Sequence, residues 1–95
     1  MPKEARYLAC YDVTNDRERE LAAGVLEGYG LRVQMSVFEC RLTRSGRERL
    51  VAELEKLELK SGFLFLYKLD AKAGRRGVGA LPEEPFAEER FSFVV

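Results

Sequence analysis

The chain contains no histidine and no tryptophan, two cysteines, three prolines and only two side-chain amides, Asn15 and Gln34. Without histidine there is no ordinary general base, no Ser/His or Cys/His nucleophilic pair and no histidine-containing zinc site. Carboxylates remain for acid, base or metal chemistry. Cys10 and Cys40 lie far apart inside apolar runs and lack CxxC spacing. Both read as small buried apolar residues, and with no secretory signal a reduced, cytoplasmic setting is expected. No apolar run approaches the ~18 residues of a membrane span, so no membrane is expected as a partner.

Net charge is missing too, since 16 basic residues balance 16 acidic ones. Such a chain does not coat nucleic acid as a polycation, and any basic patch must be local. The 95 residues are expected to form one domain, 1–95, near the size where a single core is only marginally sufficient.

What is present follows a regular order. Arg6 to Val13 reads as a strand that ends in the carboxylate of Asp12. Thr14, Asn15 and Asp16 are good helix N-cap types, and Leu21, Ala22, Val25, Leu26 and Tyr29 then recur at helical spacing before Gly28 and Gly30. "LRVQMSVFECRL", Leu31 to Leu42, is too long for one typical strand and reads as two strands reversed around Gln34 to Ser36. Ser45 and Glu48 have capping-box spacing ahead of a second apolar helix face, Leu50, Val51, Leu54 and Leu57. "SGFLFLYKLD" is the next strand. The order βαββαβ predicts an α+β, ferredoxin-like fold with two helices on one face of an antiparallel sheet. Residues 71–85, "AKAGRRGVGALPEEP", read as a mobile basic loop, and "FSFVV", 91–95, as a short terminal strand.

"LACY" and "GFLFLY" are apolar on both sides, although only one side of such a sheet is covered by helices. The other side must be covered as well. A homodimer packed sheet against sheet is the expected solution, with 91–95 at the partner's edge.

"YDVTNDRER", Tyr11 to Arg19, followed by "GYGLRVQMSVFECRL", Gly28 to Leu42, resembles the CRISPR-associated protein two family. The resemblance covers nearly the whole chain. It implies a ferredoxin-like homodimer acting in spacer acquisition, a magnesium-dependent nuclease activity, and assembly with the larger CRISPR-associated integrase around duplex DNA. By the same resemblance Asp12 is the metal ligand, with Tyr11 beside it in the catalytic set. Arg17, Arg19 and Arg32 become nucleic-acid contacts, joined by Ser36 and Phe38 from the matched motifs.

Read from its residues alone, Asp12 has a second explanation: its side chain caps the following helix or forms an Asx-turn. One carboxylate is a poor magnesium site, but a two-fold axis near the strand end would set two copies of Asp12 side by side, and magnesium commonly uses one or two carboxylates plus phosphate. Repulsion within such a pair favours activity at neutral to alkaline pH. Arg17 and Arg19 can equally pair with Glu18 or Glu20 as surface charges, and Tyr11 and Phe38 can equally be core. Lys72, Arg75 and Arg76 are an alternative electrostatic arm for DNA.

Two functions from different classes are compatible with these residues. One is a magnesium-dependent endonuclease acting on RNA or DNA. The other is a non-catalytic dimeric adaptor that grips duplex DNA and bridges integrase subunits. A toxin-type ribonuclease of the same fold is a third.

Overall fold

In a computed structural model, residues 3–81 are described. The apolar alternation of "ARYLACYDV" forms strand β1 over Ala5–Val13, whose Tyr7, Ala9, Tyr11 and Val13 point into the core. Helix α1 spans Asp16–Glu27 and is started by Asn15, whose side-chain oxygen accepts from the Glu18 N–H at 3.0 Å. Asp12 is therefore not the cap, and the helix-capping explanation of that carboxylate falls away. Ala22, Ala23 and Leu26 are the buried residues of α1, whereas Leu21 faces solvent.

Strands β2, Gly30–Gln34, and β3, Val37–Leu42, form the expected hairpin with its reversal at Met35 and Ser36. Helix α2 covers Arg44–Glu55 and buries Leu50 and Leu54, while Val51 is exposed. Its cap is Thr43, whose hydroxyl accepts from the Gly46 N–H at 3.0 Å, so the Ser45/Glu48 capping box does not form. Thr43 stands directly after β3 and starts the helix two residues before the expected cap. Strand β4 covers Gly62–Lys68.

The four strands form one antiparallel sheet in the order β2-β3-β1-β4, confirming the α+β, ferredoxin-like layout. A single cluster joins Tyr7, Ala9, Tyr11 and Val13 with Phe38, Cys40 and Leu42 of β3 and Leu26, Leu50 and Leu54 of the helices. Burial pushes the Cys40 thiol up to about 11, which keeps it protonated and unreactive. Cys10 is only half-buried, because it lies on the opposite side of β1.

That opposite side carries an aromatic row. Phe63, Phe65 and Tyr67 of β4 sit 5.2 and 5.9 Å apart between successive ring centres, and each remains about half exposed. Among the described residues this face is covered over Arg6 and Leu8 of β1 and over β3 and β2, where Ala73 to Arg75 line a groove with Val33, Gln34 and Val37 and Glu39 is buried, while the β4 row stays open. There Arg6 donates to the carbonyls of Asp70 and Ala73, and the Ala73 N–H donates to the Asp70 carbonyl at 2.9 Å. The segment expected to be a mobile basic loop thus begins as a pinned turn. Its remainder past residue 81 and the terminal strand expected at 91–95 lie outside the described residues.

Candidate functional site

Asp12 is the last outward-facing residue of β1, one place before the strand ends at Val13. Its Cα partner on β4 is Phe63, and Cys10 is paired with Phe65 and Leu8 with Tyr67. Strand alternation therefore puts Asp12 on the aromatic face, at its rim. The carboxylate is exposed and has no hydrogen bond or ion pair among the described residues. Gly62 is required beside it: a Cβ there would stand 1.8 Å from the Asp12 carbonyl oxygen.

Tyr11 points the other way. Its ring packs at 6.5 Å from Phe38, and its hydroxyl donates to the Met35 carbonyl at 3.3 Å. The Tyr11 N–H donates to the Ser36 carbonyl at 3.0 Å. Tyr11 therefore ties the β2–β3 turn to the end of β1, and within one chain it cannot share a centre with Asp12. Phe38 is fully buried, which leaves its ring no surface for a ligand. Arg32 lies over that ring, its guanidinium carbon 5.1 Å from the ring centre.

Arg19 is committed to the main chain. Its guanidinium donates to the carbonyls of Val13 at 3.0 Å and Thr14 at 2.9 Å, and it pairs with Asp16. It closes the carbonyl end of β1 onto α1. Arg17 is exposed in the first turn of α1, with no ion pair among the described residues, and keeps its donors for a ligand. Tyr11, Arg19, Arg32 and Ser36 line an open groove of about 570 Å³ together with Asp16 and Glu20 of α1. The seven expected site residues thus divide: four surround this groove, Phe38 lies beneath it, Arg17 is on the helix start, and Asp12 is across the sheet.

A residue that sequence reasoning passed over holds this region together. The Glu18 carboxylate accepts from the Ser61 hydroxyl at 2.6 Å and from the N–H groups of Ser61 and Lys60. These bonds, the Ser61 hydroxyl first, hold the Glu18 carboxyl below its ordinary range. Ser61 in turn accepts from the Asn15 and Thr14 N–H groups, so the start of β4 is locked to the end of β1. Only the pairing of distant strands reveals this clamp; Glu18 in a first helical turn looks like ordinary dipole compensation.

Among the described residues no group of three or more Cys, Asp or Glu side chains could hold a metal ion. At the end of β1 the described residues therefore offer a magnesium ion a single exposed carboxylate, Asp12, at the rim of the half-exposed aromatic row. The donor set fits magnesium when further oxygen ligands, from a second copy or a substrate phosphate, join Asp12. No helix among the described residues is long and apolar enough to cross a membrane.

Comparison with known proteins agrees with this geometry. A CRISPR-associated endoribonuclease Cas2 of Synechocystis is 49% identical over 54% of this chain, a match that spans 55% of that relative's length. A CRISPR-associated endonuclease Cas2 of Thermus thermophilus is 39% identical over 81% of the chain and 87% of its own length. The crystal structure of a hypothetical Thermus thermophilus protein, TT1823, superposes with a TM-score of 0.71 at 36% identity, covering 84% of this chain and 99% of that one. The family model described as CRISPR associated protein Cas2 matches residues 5–76, from the first residue of β1 to just past the pinned turn. With the sheet order, the Tyr11-tied hairpin and the strand-ending Asp12 all inside that span, the chain belongs to the Cas2 family.

Proposed function

We propose that the protein is a CRISPR-associated endonuclease that hydrolyses phosphodiester bonds as a homodimer, with Mg2+ held between the Asp12 carboxylates of two copies. The observation that carries this reading is the exposed Asp12 carboxylate, free of partners among the described residues, at the rim of a half-exposed aromatic face. Glu18, a structural carboxylate, has hydrogen-bond partners; Asp12 has none among the described residues and is open to a metal or a second copy. The names of the relatives, endoribonuclease and endonuclease, support the same class of reaction.

Packing Phe63, Phe65 and Tyr67 against the same row of a second copy removes apolar surface from water, at about 25 cal/mol per Å². It also brings the rims of the two faces together around a two-fold axis. When bound, magnesium polarises a phosphoryl oxygen and makes a coordinated water more acidic. The two Asp12 carboxylates hold the ion, the Arg17 guanidinium beside the helix start engages a substrate phosphate, and Arg19 keeps the end of β1 in place. Action in spacer acquisition with the larger CRISPR integrase is part of the proposal.

A non-catalytic adaptor that holds duplex DNA is the second reading. It draws on Tyr11 and Arg19, whose polar groups are spent on main-chain carbonyls and maintain shape rather than meet substrate.

Asp12→Asn separates the two. It keeps size and leaves the Asn15 cap untouched, so the dimer, its thermal stability and its duplex binding should persist. Magnesium affinity by calorimetry and cleavage of labelled RNA and DNA should both be lost, the latter by at least about 100-fold. Undiminished magnesium-dependent cleavage by the purified Asp12→Asn dimer would overturn the nuclease reading at this site. A wild-type dimer that binds duplex and integrase but cuts neither RNA nor DNA would establish the adaptor.

A further inference from the structure

A chain of zero net charge that handles nucleic acid needs its positive charge gathered somewhere, and the end of β1 bearing Asp12 does not gather it. The groove there sets Asp16, Glu20 and Glu27 against Arg19 and Arg32, and Arg19 is already paired with Asp16. The positive charge collects at the other end of the sheet. Antiparallel pairing places Ala5 opposite Leu42 and Tyr7 opposite Lys68, so the start of β1, the end of β3, the end of β4 and the start of α2 converge.

Two adjoining grooves of about 680 and 310 Å³ open at this junction and share a wall of Lys3, Glu4, Ala5 and Lys68. Lys3, Arg6, Arg41, Arg44, Arg47 and Lys68 line them, against Glu4 and Asp70. Lys3, Arg47 and Lys68 have no ion-pair partner among the described residues. Among the described residues Arg44 has only an exposed contact with Glu48 at 3.7 Å, of the kind worth little in water.

The helix start among these cations points the same way. Helix α1 carries Asp16 and Glu18 in its first turn, as its positive end favours. Helix α2 has no acidic residue in its first turn and begins instead with Arg44, followed by Arg47. Cations at a helix N-terminus are repelled by the dipole, and a bound anion relieves both that repulsion and the mutual repulsion of the cations around it.

We infer that this end of the sheet, built on Lys3, Arg47 and Lys68, is a second phosphate-binding surface that takes the backbone of a nucleic-acid duplex. The choice of ligand rests on the nucleic-acid reading proposed above; the surface itself does not depend on Asp12. A nucleic-acid backbone fits because it presents a series of charges ~3.4 Å apart along each strand, matching adjoining grooves better than an isolated small anion. Ala5 and Asp12 are seven residues apart on one extended strand, about 23 Å, so the two sites are separate in space.

The test is duplex binding by the full chain carrying Lys3→Ala, Arg47→Ala and Lys68→Ala together, followed by fluorescence anisotropy on a labelled random-sequence duplex across a salt titration. Each phosphate contact contributes about 0.9 to the slope of log affinity against log salt. The triple variant should bind at least about 10-fold more weakly at low salt, with a slope shallower by about 2–3. Arg47→Lys with Lys68→Arg should restore wild-type behaviour. An unchanged slope in a triple variant that melts like wild type would overturn the inference. If the triple variant does not fold, Lys68→Glu alone is the measurement: on an exposed strand end it should still weaken duplex binding, and an unaltered affinity would overturn the inference equally. Asp12→Asn, assayed alongside, separates the two proposals, because it should lose cleavage and keep the full salt slope.

Discussion

Along β1, Tyr7, Ala9, Tyr11 and Val13 are buried beneath the helices, while Leu8, Cys10 and Asp12 share the other face with Phe63, Phe65 and Tyr67 of β4. The first set closes a core with Phe38, Leu26 and Leu50 and needs nothing from outside. The second set is apolar enough to be a core but, among the described residues, is covered only at its Leu8 end, by the turn at Asp70 to Ala73 and the residues up to Arg75. Among the described residues the same strand is thus finished on one side and left open toward its Asp12 end on the other. Asp12, the residue we propose as the metal ligand, stands on that open side, where a partner's atoms can complete its surroundings.

The sharpest way to break this comparison is to remove one aromatic from each face. Phe38→Ala empties a fully buried position and should cost about 3–5 kcal/mol in chemical denaturation. Phe65→Lys should change the stability of the monomer by less than about 0.5 kcal/mol. In sedimentation it should nevertheless turn a dimer into a monomer, and cleavage should disappear with the dimer. A dimeric, active Phe65→Lys protein would mean that the open aromatic face is not where the copies meet.

A smaller effect should follow at the join between the faces. Gly62→Ala pushes a methyl group against the Asp12 carbonyl and the Val13 Cα, so the end of β1 must move. About 1–3 kcal/mol of stability should be lost, and metal affinity should fall because Asp12 is carried along.

Next come the caps. Asn15→Ala should cost about 0.5–2 kcal/mol by thermal melting, because its side chain holds the Glu18 N–H. Asp12→Ala should leave the melting temperature nearly unchanged, since no described group depends on that carboxylate. Equal losses from the two would restore the structural explanation of Asp12.

The smallest effect concerns pH. Glu18 has its carboxyl below the ordinary range in the folded chain, so its contribution is present above the unfolded value and is lost as pH falls through the folded one. Glu18→Gln should therefore flatten the acid limb of the stability profile while leaving the neutral region less affected. An acid limb identical to wild type would show that the clamp on Ser61 does not titrate with folding.

Several elements could be read directly from residue order. The period-two run of β1, the reversal between Gln34 and Val37 and the apolar spacing of both helices rest on neighbours a few residues apart, and local sterics and burial decide them. The two-sided apolar character of "GFLFLY" likewise pointed to the half-exposed aromatic row of β4. The cap of α2 is not legible in residue order, because Thr43 and Ser45 are both competent caps and only the end of β3 at Leu42 selects between them. Tyr11, Asp12, Arg19 and Arg32 looked like one site because the motifs containing them are close in order.

Alternation along β1 separates Tyr11 from Asp12, and the pairing of β1 with β4 decides that Asp12 lies beside Phe63 rather than in the groove with Arg19 and Arg32. Glu18 reaches Ser61, 43 residues away, and Lys3, Arg47 and Lys68 meet at one junction, only because antiparallel strands return distant chain to the same end of a sheet. Residue order by itself determined which segments become strands and helices, since those choices are made by local periodicity. Which side chains stand together, and on which face, was decided by strand register, a property of long-range pairing that no single stretch of the chain contains.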